Sequence, residues 1–196
     1  MKGGLRSACL TMVVFLVGCG ADGALRLPVS EFTAEHAQLY EDGVDFVHDP
    51  RALSGRWRMN WERELHDRVR WADFIGVVRV SNILVEVDPE QHTSYRLRTQ
   101  VEQPLLGEAP NELELPSAYG QAGVDSVARN QQRLLNARLV AYVKWYRNDL
   151  GEIAAHWHLA PASRPVLRRT SHWLERVRGV DSLPGATRIQ RTVRAR

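Results

Sequence analysis

Residues 139–146 read LVAYVKWY and residues 153–159 read IAAHWHL, and these two stretches decide the fold. Each alternates with a period of two, which is the pattern of a β-strand whose two faces differ. Residues 148–151, Asn-Asp-Leu-Gly, lie between them and predict the turn of a β-hairpin. If Arg147 pairs with Gly151, the apolar sets match on one face, with these opposite pairs: Trp145 and Ile153, Ala141 and Trp157, Leu139 and Leu159.

The other face of this hairpin carries polar and aromatic side chains, which are Tyr142, Lys144, Tyr146, His156 and His158. In the register above, Tyr142 lies across from His156, and Val140 lies across from His158. Tyrosine and titratable histidine suit contact with a ligand or partner better than core packing. We therefore predict that this face is exposed to solvent, or covered only by a helix or a partner, and that it is the binding surface.

His156 and His158 also form a His-x-His pair, and residues two apart on a strand share a face. Zinc sites need three or four ligands, and the sequence indicates no third. The alternative, which we favour, is a pair of surface histidines that flank a core tryptophan. We predict no metal and no cofactor, and His156 and His158 are the candidates if a metal binds.

Other signs of catalysis are absent from the sequence. Glu62 and His66 stand four residues apart on a predicted helix, but a solvated face of charge pairs explains them better. The chain contains no HExxH, GxSxG, GxGxxG or GxxxxGK[ST] motif. We therefore predict no catalytic residue.

Three strands and a short helix precede the hairpin in the predicted order of elements. Residues 72–87 are rich in Val and Ile, and Gly76 predicts a bulge there. Residues 94–102 alternate cleanly, and residues 111–115 form a third strand that Pro116 should end. A short helix follows, which Asp125 or Ser126 can cap and which carries Val127, Gln131, Leu134 and Leu135.

Two helices are predicted before the first strand. One runs from about residue 33 to residue 41, with Gly43 as its stop. Ser54 can cap the next helix, whose apolar residues recur every four positions and should face a core: Trp57, Trp61, Leu65 and Val69.

The amino terminus predicts where the protein resides. Residues 16–19, Leu-Val-Gly-Cys, resemble the lipobox of bacterial lipoproteins, and they follow a basic start and an apolar run over residues 8–17. That run is too short to span a bilayer. The resemblance implies a cleaved signal peptide, a lipid on Cys19 and a lipid-anchored protein of the bacterial cell envelope. Residue 20 is Gly rather than Asp, which favours the outer membrane.

Five strands with a helix between the third and the fourth is the element order of an OB-type barrel. We therefore predict an α+β fold that is mainly β: a small antiparallel five-stranded OB-like barrel preceded by one or two helices. Over about residues 70–160, three local features resemble the netrin-like and tissue-inhibitor-of-metalloproteinase branch of such barrels. They are Ala72-Asp73 opening a strand after a helix, the VxxxLxG pattern of residues 101–107, and the late apolar strand 139–145.

This resemblance does not carry the inhibitory chemistry with it. In those inhibitors a free amino-terminal cysteine chelates the metal of the target enzyme. The chain has two cysteines, of which Cys9 lies in the predicted signal and Cys19 is the predicted lipid site. The mature protein would therefore have no free thiol and no disulfide.

The chain divides into a mildly acidic body and a basic tail. We predict a signal peptide (1–18), a tether (19–30), a helical segment (31–71), a barrel-like domain (72–163) and a partly disordered basic tail (164–196). The tail holds nine arginines and two acidic residues, although the whole chain has a net charge of only +3. Within it, Ser171 can cap a helix that contains Trp173 and Leu174, and residues 179–196 are predicted to be largely disordered.

These observations favour a non-catalytic envelope lipoprotein that acts as a binding or structural module. One alternative is a metal-dependent envelope enzyme that uses the face of His156 and His158. Another is an accessory subunit that docks through its basic tail. The expected partners are the membrane, through the lipid anchor, and an envelope protein or glycan. The envelope address argues against nucleic acid.

Overall fold

The fold is seen in a computed structural model that describes residues 27–29, 31–148 and 150–179. This part of the chain contains five helices, α1 (Ala34–Leu39), α2 (Gly55–Trp71), α3 (Val124–Ala128), α4 (Gln131–Leu134) and α5 (Arg164–Arg178). It also contains six strands, β1 (Gly43–Val44), β2 (Phe74–Val87), β3 (Thr93–Leu106), β4 (Glu112–Ser117), β5 (Arg138–Arg147) and β6 (Ile153–Pro161). The predicted signal peptide, the Cys19 lipid site and the predicted disordered region beyond residue 179 lie outside the described residues.

The six strands form one sheet in the order β1-β6-β5-β2-β3-β4. All neighbouring strands are antiparallel except β1 and β6, which pair in parallel through Gly43 and Val44. The α+β prediction is therefore confirmed, but the sheet has six strands rather than five. The sequence did not reveal β1 because a strand of two residues is too short to show a period.

The long strands β2 and β3 explain two features of the sequence. Their register shifts between Ile75 and Gly76, as the glycine predicted, and shifts again further along. Pro116 lies inside β4 instead of ending it. A proline is tolerated there because β4 is at the end of the sheet order, where one side of the strand has no ladder to complete.

The hairpin of β5 and β6 exists, but the predicted register is wrong by two residues. Arg147 pairs with Ile153 rather than with Gly151, so Trp145 lies opposite Ala155 and Tyr142 lies opposite His158. The loop is therefore longer than predicted. A shift of two residues keeps every side chain on its predicted face, because the side-chain period of a strand is two.

The two faces of the sheet support two apolar cores. Trp145, Trp157 and Leu159 belong to the first core, which also takes Val127 from α3 and Leu134 from α4. Ile153 was predicted to face inward, but it is 44% exposed. Ile153 begins β6 directly after the loop of the hairpin, where the strand leaves the core.

The second core lies between the other face of the sheet and helices α2 and α5. Trp61, Leu65 and Val69 of α2 are buried there as predicted, together with Val166 and Leu174 of α5.

Trp57 departs from this pattern. It was predicted to share the apolar stripe of α2, but it is 66% exposed. Every residue from 55 to 60 is exposed, so the first turns of α2 extend beyond the core.

Helix α5 begins at Arg164, seven residues before the predicted cap at Ser171. Its actual cap is Ser163, whose hydroxyl accepts a hydrogen bond from the backbone of Val166, and Pro165 occupies the first turn. Proline favours such a position because its missing N–H has no partner there. Half of the predicted tail is therefore a core helix.

Residues 41–45 are bound to three other elements by hydrogen bonds within one short stretch. The partners are Trp157 and Leu159 in β6, Ser117 in β4, and Gly123 and Ser126 at the start of α3. Gly43 and Gly123 pack so closely that a Cβ on Gly123 would lie 2.4 Å from the backbone of Gly43. Glycine is required at both positions because no side chain fits between β1 and α3.

Among the described helices, none has the length and apolar content needed to cross a bilayer.

Candidate functional site

The structure brings the five predicted face residues together on one face of β5 and β6, but that face is covered by α5 and by non-helical segments around Phe32, residues 41–45 and Asp73. Tyr142, Lys144 and His158 are buried, and Tyr146 and His156 are half-buried. Neither exposure to solvent nor cover by a helix alone is observed: Thr170 of α5 contacts Tyr142, whereas Phe32 and residues 41–45 contact His156 and His158. A ligand cannot reach most of this face without displacing these segments, so direct binding there has no geometric basis in the described residues.

Tyr142 and Lys144 each have a partner from the covering or adjoining segments. The hydroxyl groups of Tyr142 and Thr170 of α5 lie 2.6 Å apart. Burial raises the pKa of Tyr142, so it stays protonated. The ammonium group of Lys144 lies 3.0 Å from the carboxylate of Asp73, which also accepts the backbone N–H of Trp145. These contacts join β5 to α5 and to the chain just before β2.

His156 is held by a carboxylate and by two aromatic rings. Its Nδ1 lies 2.7 Å from Asp42, whose other oxygen accepts the backbone N–H of Trp157. Burial raises the pKa of Asp42, and the hydrogen bond of His156 opposes that effect. The imidazole contacts Phe32, at 4.0 Å, and Tyr146, at 4.4 Å between ring centroids, and these two rings lie 5.4 Å from each other, so the three form a triangle. The ring is therefore part of a packed cluster.

His158 lies deeper than His156, among charged side chains that surround it. Its Nε2 is 3.2 Å from Asp45, and its Nδ1 is 3.8 Å from the carboxylate of Glu41. Burial lowers the pKa of His158, and the nearby charge of Arg68 lowers it further. Burial alone would raise the pKa of Asp45, but its hydrogen bonds with His158 and with the backbone N–H of Val47 hold it below its ordinary value.

The described geometry does not make a metal site from this pair. His156 and His158 each face their own carboxylate. The group of potential ligands that does converge in the described part of the chain is Asp88, Glu90 and His92, in the turn between β2 and β3. It includes neither of the predicted histidines, and exposed acidic turns of this kind are common without a metal.

A groove that is open to solvent lies between the two long helices α2 and α5. It has a volume of about 570 Å³ and lies between the start of α2 and the start of α5. It is lined by Pro50, Arg51, Arg58, Glu62, Arg164, Pro165, Arg168, Arg169 and His172. Five arginines and one carboxylate line the groove, so its lining carries a net positive charge.

Some of these arginines have carboxylate partners and some do not. Arg51 binds Asp49 at 2.8 Å, and Arg169 binds Glu62 at 2.6 Å. Arg58, Arg164 and Arg168 are exposed and form no ion pair with any residue that the structure describes. Guanidinium groups bind carboxylate, phosphate and sulfate through two parallel hydrogen bonds. The groove can therefore hold an anion.

Sequence reasoning did not find this groove. Its arginines come from residues 51–58 and 164–169, which are more than one hundred positions apart and meet only because α2 packs on α5. The sequence does contain one sign of the groove, which is the excess of arginine after residue 163; we attribute that excess to a basic tail.

Comparisons with models of protein families, with curated proteins and with solved structures found no match to this chain.

Proposed function

We propose that the chain is a non-catalytic, lipid-anchored binding module of the bacterial cell envelope, and that its ligand is an anion bound in the groove between α2 and α5. The observation that carries the proposal is the set of three exposed arginines without a carboxylate partner among the described residues: Arg58, Arg164 and Arg168. The lipobox-like residues 16–19 support the anchor at Cys19 and the envelope location, and Gly20 favours the outer membrane.

The proposal keeps one element of the tail-docking alternative. Arg164, Arg168 and Arg169 belong to the predicted basic tail, and the ordered part of that tail supplies half of the groove. An acidic glycan or the acidic surface of an envelope protein has the charge that this groove complements.

We also propose that β2–β6 form an OB-type barrel. Their order, β6-β5-β2-β3-β4, brings the first strand of the set beside the fourth. The indole N–H of Trp157 in β6 donates to the carbonyl of Pro116 in β4 at 2.7 Å, which links the two ends of the set. This contact supports the barrel, because closing the sheet requires β4 and β6 to be neighbours.

The groove is tested with a soluble polyanion. The full chain carrying Cys19→Ser is titrated with heparin, and the triple variant Arg58→Gln/Arg164→Gln/Arg168→Gln is compared with it. We expect the triple variant to bind at least about tenfold more weakly, since one charge-assisted hydrogen bond contributes about 1.5–3 kcal/mol.

The matched control is Arg98→Gln/Arg129→Gln/Arg147→Gln, which removes the same charge from exposed positions that do not line the groove. If both triple variants bind heparin with the same affinity, attraction is a matter of net charge and the groove is not the site.

A further inference from the structure

The exposed start of α2 presents apolar side chains directly beside the groove. Trp57 and Met59 are 66% and 67% exposed. Exposed single apolar residues are ordinary, but here a tryptophan and a methionine flank Arg58, a residue that lines the cationic groove. The neighbouring Trp61, one turn later, is buried in the second core.

Cationic side chains flank these two residues. The guanidinium of Arg56 lies 5.7 Å from the centre of the Trp57 ring. Arg58, between Trp57 and Met59, lines the groove together with Arg164 and Arg168 of α5. The exposed first turns of α2 therefore carry an indole ring and a thioether on the two sides of Arg58, which faces the arginines of α5. We name these residues the Trp57 patch: Arg56, Trp57, Arg58, Met59, Arg164 and Arg168.

This combination matches the chemistry of an anionic membrane surface. Tryptophan concentrates at the level of lipid headgroups, where one part of the ring is apolar and the other is hydrated. Arginine binds phosphate with two hydrogen bonds. A soluble polyanion satisfies the arginines, but it gives no reason for an exposed tryptophan and methionine beside them.

The position of the proposed anchor adds an independent argument. Eight peptide units separate Cys19 from Leu27, the first described residue, and they span at most about 29 Å. Leu27 itself packs against the first core. A lipid on Cys19 would therefore keep the whole domain within reach of the bilayer surface.

We propose that the Trp57 patch docks on the phosphate headgroups of an anionic lipid surface, with Trp57 and Met59 inserted at the interface. This inference rests on the proposed function and specifies its ligand. The lipid anchor would then hold the protein at the membrane, and the Trp57 patch would orient it there.

The test uses the full chain carrying Cys19→Ser in every variant, so that no comparison includes an acyl chain. Vesicles of phosphatidylcholine alone are compared with vesicles containing about one third phosphatidylglycerol. We expect tighter binding to the anionic vesicles. Arg58→Gln/Arg168→Gln should weaken it about 25-fold, because each arginine near an anionic surface contributes about fivefold.

The apolar contribution is measured with Trp57→Ala/Met59→Ala. This variant should bind anionic vesicles several-fold more weakly while binding heparin as the parent does. The matched controls are Leu150→Ala, which removes an apolar side chain that is 82% exposed, and Arg129→Gln/Arg147→Gln, which removes two charges outside the groove. Both controls should bind vesicles like the parent.

Tryptophan fluorescence tests whether Trp57 enters the lipid interface, and it does so without requiring a variant that binds more weakly. Brominated lipids should quench part of the tryptophan emission of the parent, and Trp57→Phe should remove that part. Absence of quenching in the parent, or unchanged vesicle binding in Trp57→Ala/Met59→Ala, overturns the docking proposal. If the arginine variants still lose heparin binding, the anion site stands without the membrane. If the arginine variants lose neither heparin binding nor vesicle binding, both proposals fail.

Discussion

Asp73 is the residue on which the covered face of the hairpin depends. Its carboxylate accepts hydrogen bonds from the ammonium of Lys144 and from the backbone N–H of Trp145, and its own N–H donates to Val143. The side chains of Lys144 and Asp73 are 5% and 14% exposed. Removing the carboxylate therefore leaves a buried cation without this counter-charge.

We expect Asp73→Ala to lower the free energy of unfolding by about 3–5 kcal/mol, the usual cost of breaking a buried ion pair from one side. Urea unfolding measures this change. Asp125→Ala, which breaks an exposed pair with Arg129, is the control and should cost no more than about 1 kcal/mol. Equal losses in the two variants would show that Lys144 is solvated.

His158 predicts how stability depends on pH. Burial and Arg68 lower the pKa of His158, so the folded protein holds it neutral, while the unfolded chain takes up a proton near the ordinary value of 6.5. The contribution of His158 is full above that value and is lost as the pH falls below it. Glu41, Asp45 and Tyr142 also adjoin the ring, and the two carboxylates oppose the lowering of the pKa without reversing it.

His158→Gln retains a hydrogen-bond donor toward Asp45 but does not titrate. We expect the melting temperature of this variant to fall less than that of the parent between about pH 7 and about pH 5. Some slope should remain, because burial and Lys144 also lower the pKa of His36. The melting temperature of His48→Gln, which removes an exposed imidazole, should change with pH as that of the parent does. If the melting temperature of His158→Gln changes with pH to the same extent as that of the parent, the argument is contradicted.

At the scale of the elements, the two long helices begin with the same residue type in different ways. Ser163 caps α5 through its side chain, whereas Ser54 occupies the cap position of α2 without a side-chain hydrogen bond. The hydroxyl of Ser163 also donates to the carbonyl of His48. The sequence favoured Ser54 as a cap and did not indicate Ser163.

We therefore expect Ser163→Ala to cost about 1 kcal/mol or more, and Ser54→Ala to cost only a few tenths. Denaturant unfolding of the two variants, which differ only in position, measures the contrast. A larger loss in Ser54→Ala than in Ser163→Ala would mean that the cap of α2 forms in solution after all.

Local patterns predicted the elements well and their long-range arrangement poorly. The alternation of β5 and β6 determined which side chains share a face, because that property survives a shift of two residues. The pairing itself depends on the loop, and the sequence did not show that Arg147 pairs with Ile153.

The same limit explains the errors in the two helices and at the candidate site. Trp57 fits the apolar period of α2 but lies beyond the core that buries Trp61, and a period alone does not show where a core ends. Pro165 lies in the first turn of α5, but the predicted start of that helix was at Ser171. The groove was invisible because it forms from two segments that are distant in sequence.

At the scale of the whole molecule, helix α5 marks where the folded domain ends. It contributes Val166 and Leu174 to the second core, and Gly179 closes it in the left-handed conformation. Removal of residues 180–196 should therefore leave the melting temperature within a few degrees of the parent. Removal of residues 164–196 should prevent stable folding. A large drop after the shorter deletion would show that the last segment packs on the domain.

The proposed anchor is tested on the whole protein in cells. Cys19→Ser should abolish acyl labelling and shift the protein out of the membrane fraction after a wash in high salt, which removes purely electrostatic attachment. Cys9→Ser is the matched control and should change neither. If the Cys19 variant still sediments with membranes after the wash, another anchor holds it.

The hydrogen-bonded stretch at residues 41–45 has a mechanical consequence for a protein tethered at its amino terminus. Tension on the tether first reaches Leu27 and Val29, which pack against the first core, then Phe32 and α1, and then the sheet at Gly43. There the load is divided at once among β6, β4 and α3, because residues 41–45 bind all three. Bonds that share a load must break together, whereas bonds in a row break one by one. The domain should therefore resist pulling from its amino-terminal end better than pulling from the end of α5.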